Sequence, residues 1–116
     1  MTTTVEQLQA ALLPCASGGA YQDIAIQGAV APYIVWTQIV STTNNTLAGA
    51  TNMQNMRIQI DVWAKTPAIR QTVVAAVVAA MAAAPFANLQ ISTQNLYESE
   101  TKLFRTILDF SVWSAN

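Results

Sequence analysis

Residues 57–65, Arg57-Ile58-Gln59-Ile60-Asp61-Val62-Trp63-Ala64-Lys65, run straight into Thr66-Pro67, and this stretch decides how the chain folds. Ile58, Ile60, Val62 and Ala64 fall on one side of an extended backbone; Arg57, Gln59, Asp61, Trp63 and Lys65 fall on the other. A period of two with one apolar side predicts a strand that has one face on a core and one face open. Thr66 is a good N-cap, and Pro67 suits the first helical position, where a missing N–H costs no hydrogen bond. The strand therefore hands over directly to a helix, which is expected to run to about residue 84 and stop at Pro85.

Upstream, Thr3 and Glu6 have the spacing of a capping box, and Val5, Leu8, Leu12 and Leu13 recur at helical intervals until Pro14. These predict a helix over residues 4–13, followed by a loop of small residues over 15–20. The β-branched and aromatic run Tyr33-Ile34-Val35-Trp36-Thr37-Gln38-Ile39-Val40 predicts a strand. Residues 41–55 are polar and aperiodic, so they read as a long loop, a class that tends to be functional. Downstream, two strands are expected over 88–97 and 103–114, joined by a charged turn at Glu98-Ser99-Glu100-Thr101-Lys102. The order is α-β-β-α-β-β. The fold class is α+β: an antiparallel four-stranded sheet flanked by two helices, in a single domain over residues 1–116.

Composition narrows the function. Charged residues make up 9 % of the chain, against about 25 % in an ordinary soluble domain. With a net charge of -1 there is little repulsion to keep copies apart. Five basic residues, scattered along the chain, cannot form the cationic stripe that nucleic acid or an anionic membrane surface requires. Cys15 has no second cysteine to pair with, which fits a reducing compartment. The first residues lack the basic and apolar regions of a signal peptide, and the longest apolar run, residues 73–86, is too short for a membrane span.

Catalytic and metal-binding candidates are missing by residue type. There is no His, and one Cys without His makes neither a nucleophilic dyad nor a zinc site. Glu98 and Glu100 read as a solvated pair in a turn. Gly18-Gly19 lacks the lysine and spacing of a phosphate loop. Asp61 and Asp109 read as ion-pair partners of Arg57 and Arg105 rather than as two catalytic carboxylates. The chain is not expected to be an enzyme or to hold a cofactor or metal.

Two surfaces stand out as candidate subunit interfaces. One side of the second helix carries Ala75, Ala79 and Ala82 where a solvated helix usually carries charge. Those alanines either let a neighbouring subunit approach closely or serve helix propensity inside a groove of the chain's own fold. The open face of the sheet collects Arg57, Asp61, Trp63, Arg105, Asp109 and Trp113. These are interface-anchoring residue types, and they also make ordinary cross-strand ladders.

The pattern Ala31-Pro32-Tyr33-Ile34-Val35, the strand 57–66, the helix of small and β-branched residues, Tyr97-Glu98 and the run 104–113 together resemble the tail terminator or tail completion proteins of long-tailed bacteriophages. The resemblance covers residues 31–113; nothing in residues 15–28 matches it. It implies a structural subunit of a ring, typically of six copies, on the head-proximal end of the tail tube. Such a ring ends tube growth and joins the tail to the head connector. The implied partners are further copies of the chain, the tail tube protein, and a connector or head-closure protein, with DNA crossing the lumen unread. The implied location is the virion tail, after synthesis in the bacterial cytoplasm. Within that frame, Thr43, Asn44, Asn45, Asn52 and Gln54 of the expected loop are candidates to touch a partner. Rival readings are another head–tail joint protein, either head closure or tube subunit, and an unrelated dimeric α+β module that binds a small ligand.

Overall fold

The computed structural model describes residues 4–25, 28–46 and 49–115. The helix expected at the N-terminus is α1 (Thr4–Leu12), followed by a 3-10 turn at Leu13–Cys15 that contains Pro14. The proposed capping residue Thr3 lies outside the described residues. Leu8 and Leu12 are buried, but Leu13 is exposed because the helical register breaks at the turn. The second helix, α2 (Pro67–Ala82), starts as its sequence predicts: Ile69 N–H donates to Thr66 Oγ1 at 3.2 Å.

The sheet has five strands, β1 (Ala20–Gln22), β2 (Tyr33–Thr46), β3 (Gly49–Ala64), β4 (Ala87–Glu98) and β5 (Leu103–Ala115), in the order β1-β2-β3-β5-β4. It is mixed, which corrects the expected four-stranded antiparallel sheet. β1 pairs parallel to β2 over Ala20↔Ile34 to Gln22↔Trp36, and every other pair is antiparallel. Three residues that begin at the end of the expected small-residue loop carry no legible period. What holds them is backbone: Ile34 N–H donates to Gly19 O at 2.9 Å and Asp23 N–H to Trp36 O at 2.8 Å. The turn leading into β1 is tight. A Cβ on Gly18 would stand 1.8 Å from the Val30 carbonyl oxygen, so only glycine fits there.

The second correction concerns residues 41–55. Residues 41–46 and 49–55 are not a loop but continuations of β2 and β3, paired from Ser41↔Met56 out to Thr46↔Gly49. A strand of 16 residues spans roughly 50 Å at about 3.3 Å per residue, so this hairpin accounts for the 52 Å long dimension of the molecule.

Both helices lie on one face. Beneath them Ile34, Trp36, Ile58, Ile60, Val62, Leu108 and Val112 are fully buried, with Leu8 and Leu12 of α1 and Val77 and Met81 of α2. Each such side chain contributes about 1.5–3 kcal/mol of transfer free energy. Trp36 keeps its polar edge satisfied: its Nε1–H donates to Gln9 Oε1 at 2.7 Å, and Gln9 Nε2 donates to Ala20 O at 2.8 Å. One glutamine thereby ties α1, β1 and β2 together. α2 packs over β3 and β5 and leaves most of β4 exposed on both faces. Asn88 Nδ2 donates to Met81 O at 2.9 Å, giving the helix end one of its missing partners and fixing where β4 starts.

Candidate functional site

The face away from the helices is built by register. Tyr33↔Trp63↔Arg105↔Leu96 form one row across four strands, and Val35↔Asp61↔Ile107↔Gln94 form the next. Arg105 is the hub. Its Nη2 lies 2.7 Å from Asp61 Oδ2, its Nη1 lies 3.3 Å from Glu98 Oε1, and its guanidinium sits 4.7 Å from the centre of the Trp63 ring. Tyr33, the other neighbour of Trp63 in that row, stacks on it with ring centres 6.1 Å apart. Gln59 Nε2 donates to Asp61 Oδ1 at 3.1 Å. Burial pushes the Tyr33 phenol above its ordinary value, and the charge of Glu98 adds to the rise.

A second, looser group lies further along the same strands. Arg57 approaches Asp109 Oδ2 at 3.8 Å, with its side chain 46 % exposed, so this pair contributes little. Ser92 Oγ donates to the same oxygen at 2.9 Å. Asn55 Nδ2 donates to Ser111 Oγ at 2.8 Å.

The sequence-derived candidates are thus partly gathered and partly dispersed. Asp61, Trp63 and Arg105 share one cluster; Arg57 and Asp109 make the second group; Trp113 pairs across to Asn55 and Ala87 further along the same face. The pairing of charges differs from simple neighbours, since Arg105 takes Asp61 and Arg57 takes Asp109. Glu98, expected to be solvated in a turn, is instead the last residue of β4 and a ligand of Arg105. Tyr33 was not singled out, although its place opposite Trp63 follows once the β2–β3 register is known. Of the five residues assigned to a partner-touching loop, Thr43, Asn44 and Asn45 lie in β2, and Asn52 and Gln54 lie in β3.

On α2, Val73, Val77 and Met81 are buried while Ala75, Ala79 and Ala82 are exposed. The helix therefore does not sit in a groove of its own fold; its alanine side is open. Ile69 and Val78 are exposed beside it.

The remaining large exposed hydrophobics gather at the two lateral ends of the sheet. Leu13, Ile24, Val30 and Ile39 lie on the β1–β2 side, and Leu89, Ile91 and Tyr97 lie on β4. The signal that could have found the second group is the apolar alternation of Leu89 and Ile91 in a strand without Lys, Arg or Pro. A shallow hollow of about 330 Å³ lies between Asp23, Ile24, Tyr33, Val35, Asp61 and Trp63, beside the Arg105 cluster. Among the described residues no group of three or more His, Cys, Asp or Glu side chains is placed to hold a metal ion, and no helix is long and apolar enough to cross a membrane.

Comparison with known proteins bears on both the family and the fold. A sequence model of the family described as "Tail completion protein gp17" matches residues 6–115, nearly the whole chain. Among solved structures, a chain of the "Virion of native gene transfer agent (GTA) particle" superposes with a TM-score of 0.63 at 16 % identity, covering 98 % of this chain and 92 % of that one. This likeness is one of fold. A protein from Akkermansia muciniphila matches with a TM-score of 0.44 at 7 % identity, over 72 % of this chain and 41 % of that one. No curated protein sequence matches the chain at a significant level.

Proposed function

The chain belongs to the tail completion protein gp17 family and is a structural protein of the phage-type virion tail, and from that premise we propose that it is the subunit of a closed ring, six-fold by the family resemblance, that caps the head-proximal end of the tail tube. The ring ends tube growth and presents its other side to a head connector or head-closure protein, and DNA crosses its lumen without sequence-specific contact. Its work is assembly, without catalysis.

The observation that supports this reading best is the pairing of a family match over residues 6–115 with unlike uncovered apolar surfaces on one small subunit. Contacts around a ring are heterologous, so each copy must offer two different surfaces. The open alanine side of α2 at Ala75, Ala79 and Ala82 is one candidate contact. The cluster of Asp61, Trp63 and Arg105, with Arg57, Asp109 and Trp113 beyond it, is a second. The polar strand ends carrying Thr43, Asn44, Asn45, Asn52 and Gln54 are candidates to reach the tube or connector.

Mass measurement of the purified protein across concentration, with electron microscopy of tubes grown in its presence, tests the reading. Discrete rings and capped tubes of fixed length are expected. Long filaments of this protein alone would make it a tube subunit, and a tight dimer that never grows would sink the ring. Ala79→Glu, at an exposed helix position, is expected to leave folding intact and weaken assembly; unchanged assembly would remove the alanine side from the interface.

A further inference from the structure

The two lateral edges of the sheet carry the inference furthest. At one end β4 offers a 12-residue edge with no described residue paired to its outer side. At the other end β1 covers β2 only as far as Trp36, so residues 37–46 of β2 present a second open edge. An open edge is a row of unpaired N–H and C=O groups, which proteins normally blunt with charge, proline, shortness or a cover. β4 uses almost none of these. It contains no Lys, Arg or Pro, its one charge is Glu98 at the end, and its one register shift lies between Gln90 and Ser92. Leu89 and Ile91 stand 62 % and 47 % exposed on it, and Ile39 stands 52 % exposed at the shift in β2.

We infer that these two edges are made for each other: β4 of one subunit pairs antiparallel with the 37–46 stretch of β2 in the next copy, joining the sheets around the assembly. This rests on the ring reading above. Strand direction supports it. β2, β3, β5 and β4 alternate in direction across the sheet, so β4 runs opposite to β2 within one subunit. Rotating a copy about an axis along the strands preserves direction, and β4 then meets its neighbour's β2 in the antiparallel sense. The two edges are comparable in length, differ in sequence, and sit at opposite ends, as a heterologous closed contact requires. A β4-to-β4 contact would make a dimer and leave the β2 edge bare.

The test is Leu89→Lys with Ile91→Lys in the full chain, at two exposed positions where charge blunts an edge. Unfolding is expected to match the wild type, while the ring mass is lost at concentrations where wild type is fully assembled. Separately, in a Cys15→Ser background, subunits with Gln94→Cys are mixed with subunits carrying Thr37→Cys, Val40→Cys or Thr42→Cys and oxidised. Disulfide-linked dimers are expected in at least one mixture and in no variant alone. A ring that tolerates both lysines, no cross-link in any mixture, or self-linking of Gln94→Cys subunits overturns the edge pairing and leaves the ring reading standing. A wild type that never forms a ring overturns both.

Discussion

From Met56 to Ala64, β3 sends Met56, Ile58, Ile60, Val62 and Ala64 into the core, while Asp61 and Trp63 build the charged and aromatic rows behind it. From Gly49 to Asn55 the same strand is defined by its ladder: it pairs with β2 along that length and with β5 only from Met53 inward. The inner half is fixed by burial on one face and ion pairs on the other. The outer half is fixed by its backbone ladder to β2. One continuous strand therefore combines two kinds of stability, and mutation separates them.

Ile60 tests the inner half hardest, being fully buried beneath the helices. Ile60→Ala is expected to cost about 2–5 kcal/mol, the range for deleting a buried aliphatic side chain. Denaturant unfolding with an unchanged slope would measure it. A cost below about 1 kcal/mol would mean that the core around the helix-covered face closes over the gap, and that burial does not fix this half.

This contrast also explains what the sequence made legible. Alternation at 57–65 predicts both the strand and its buried side, and Thr66-Pro67 predicts the start of α2, because each feature expresses a local physical need. Residues 41–55 lack the alternation, since period-two apolar patterning reports a buried face rather than the strand itself. β1 is illegible for a related reason: three residues held by main-chain bonds to β2 leave no mark in their side chains. Of the candidate site, the residue types were readable at Arg57, Asp61, Trp63, Arg105 and Asp109. Which Arg meets which Asp was not, because it depends on the register of strands far apart in sequence. The edge residues Leu89 and Ile91 acquire meaning only when the sheet order shows β4 at the rim.

The open face of the inner half should be next in magnitude. Arg105→Ala leaves Asp61, 13 % exposed, without its 2.7 Å partner and uncovers the Trp63 ring. Removing a charged hydrogen bond of this kind costs about 1.5–3 kcal/mol. Arg57→Ala, whose partner lies at 3.8 Å, should cost at most about 1 kcal/mol. Thermal unfolding of the two variants side by side checks the order. If Arg57→Ala proves the more damaging, the looser group rather than the Arg105 cluster anchors this face.

The smallest effect is expected in the outer half. Thr43 and Gln54 are direct partners, so residues 44–53 can be replaced by Asn-Gly, a two-residue turn suited to a hairpin. The ladder hydrogen bonds removed there each contribute only about 0.5–1.5 kcal/mol net. Deleting these residues also removes the conformational-entropy cost of ordering them, about 1–2 kcal/mol each, so the two terms nearly cancel. Unfolding of the dilute monomer is therefore expected to shift by no more than about 1 kcal/mol, against the 2–5 kcal/mol of Ile60→Ala. A much larger loss would show that the outer hairpin packs against the body of the subunit. An unchanged stability combined with lost assembly would instead place its use outside the monomer, where a strand that contributes little to its own fold is free to serve a neighbour.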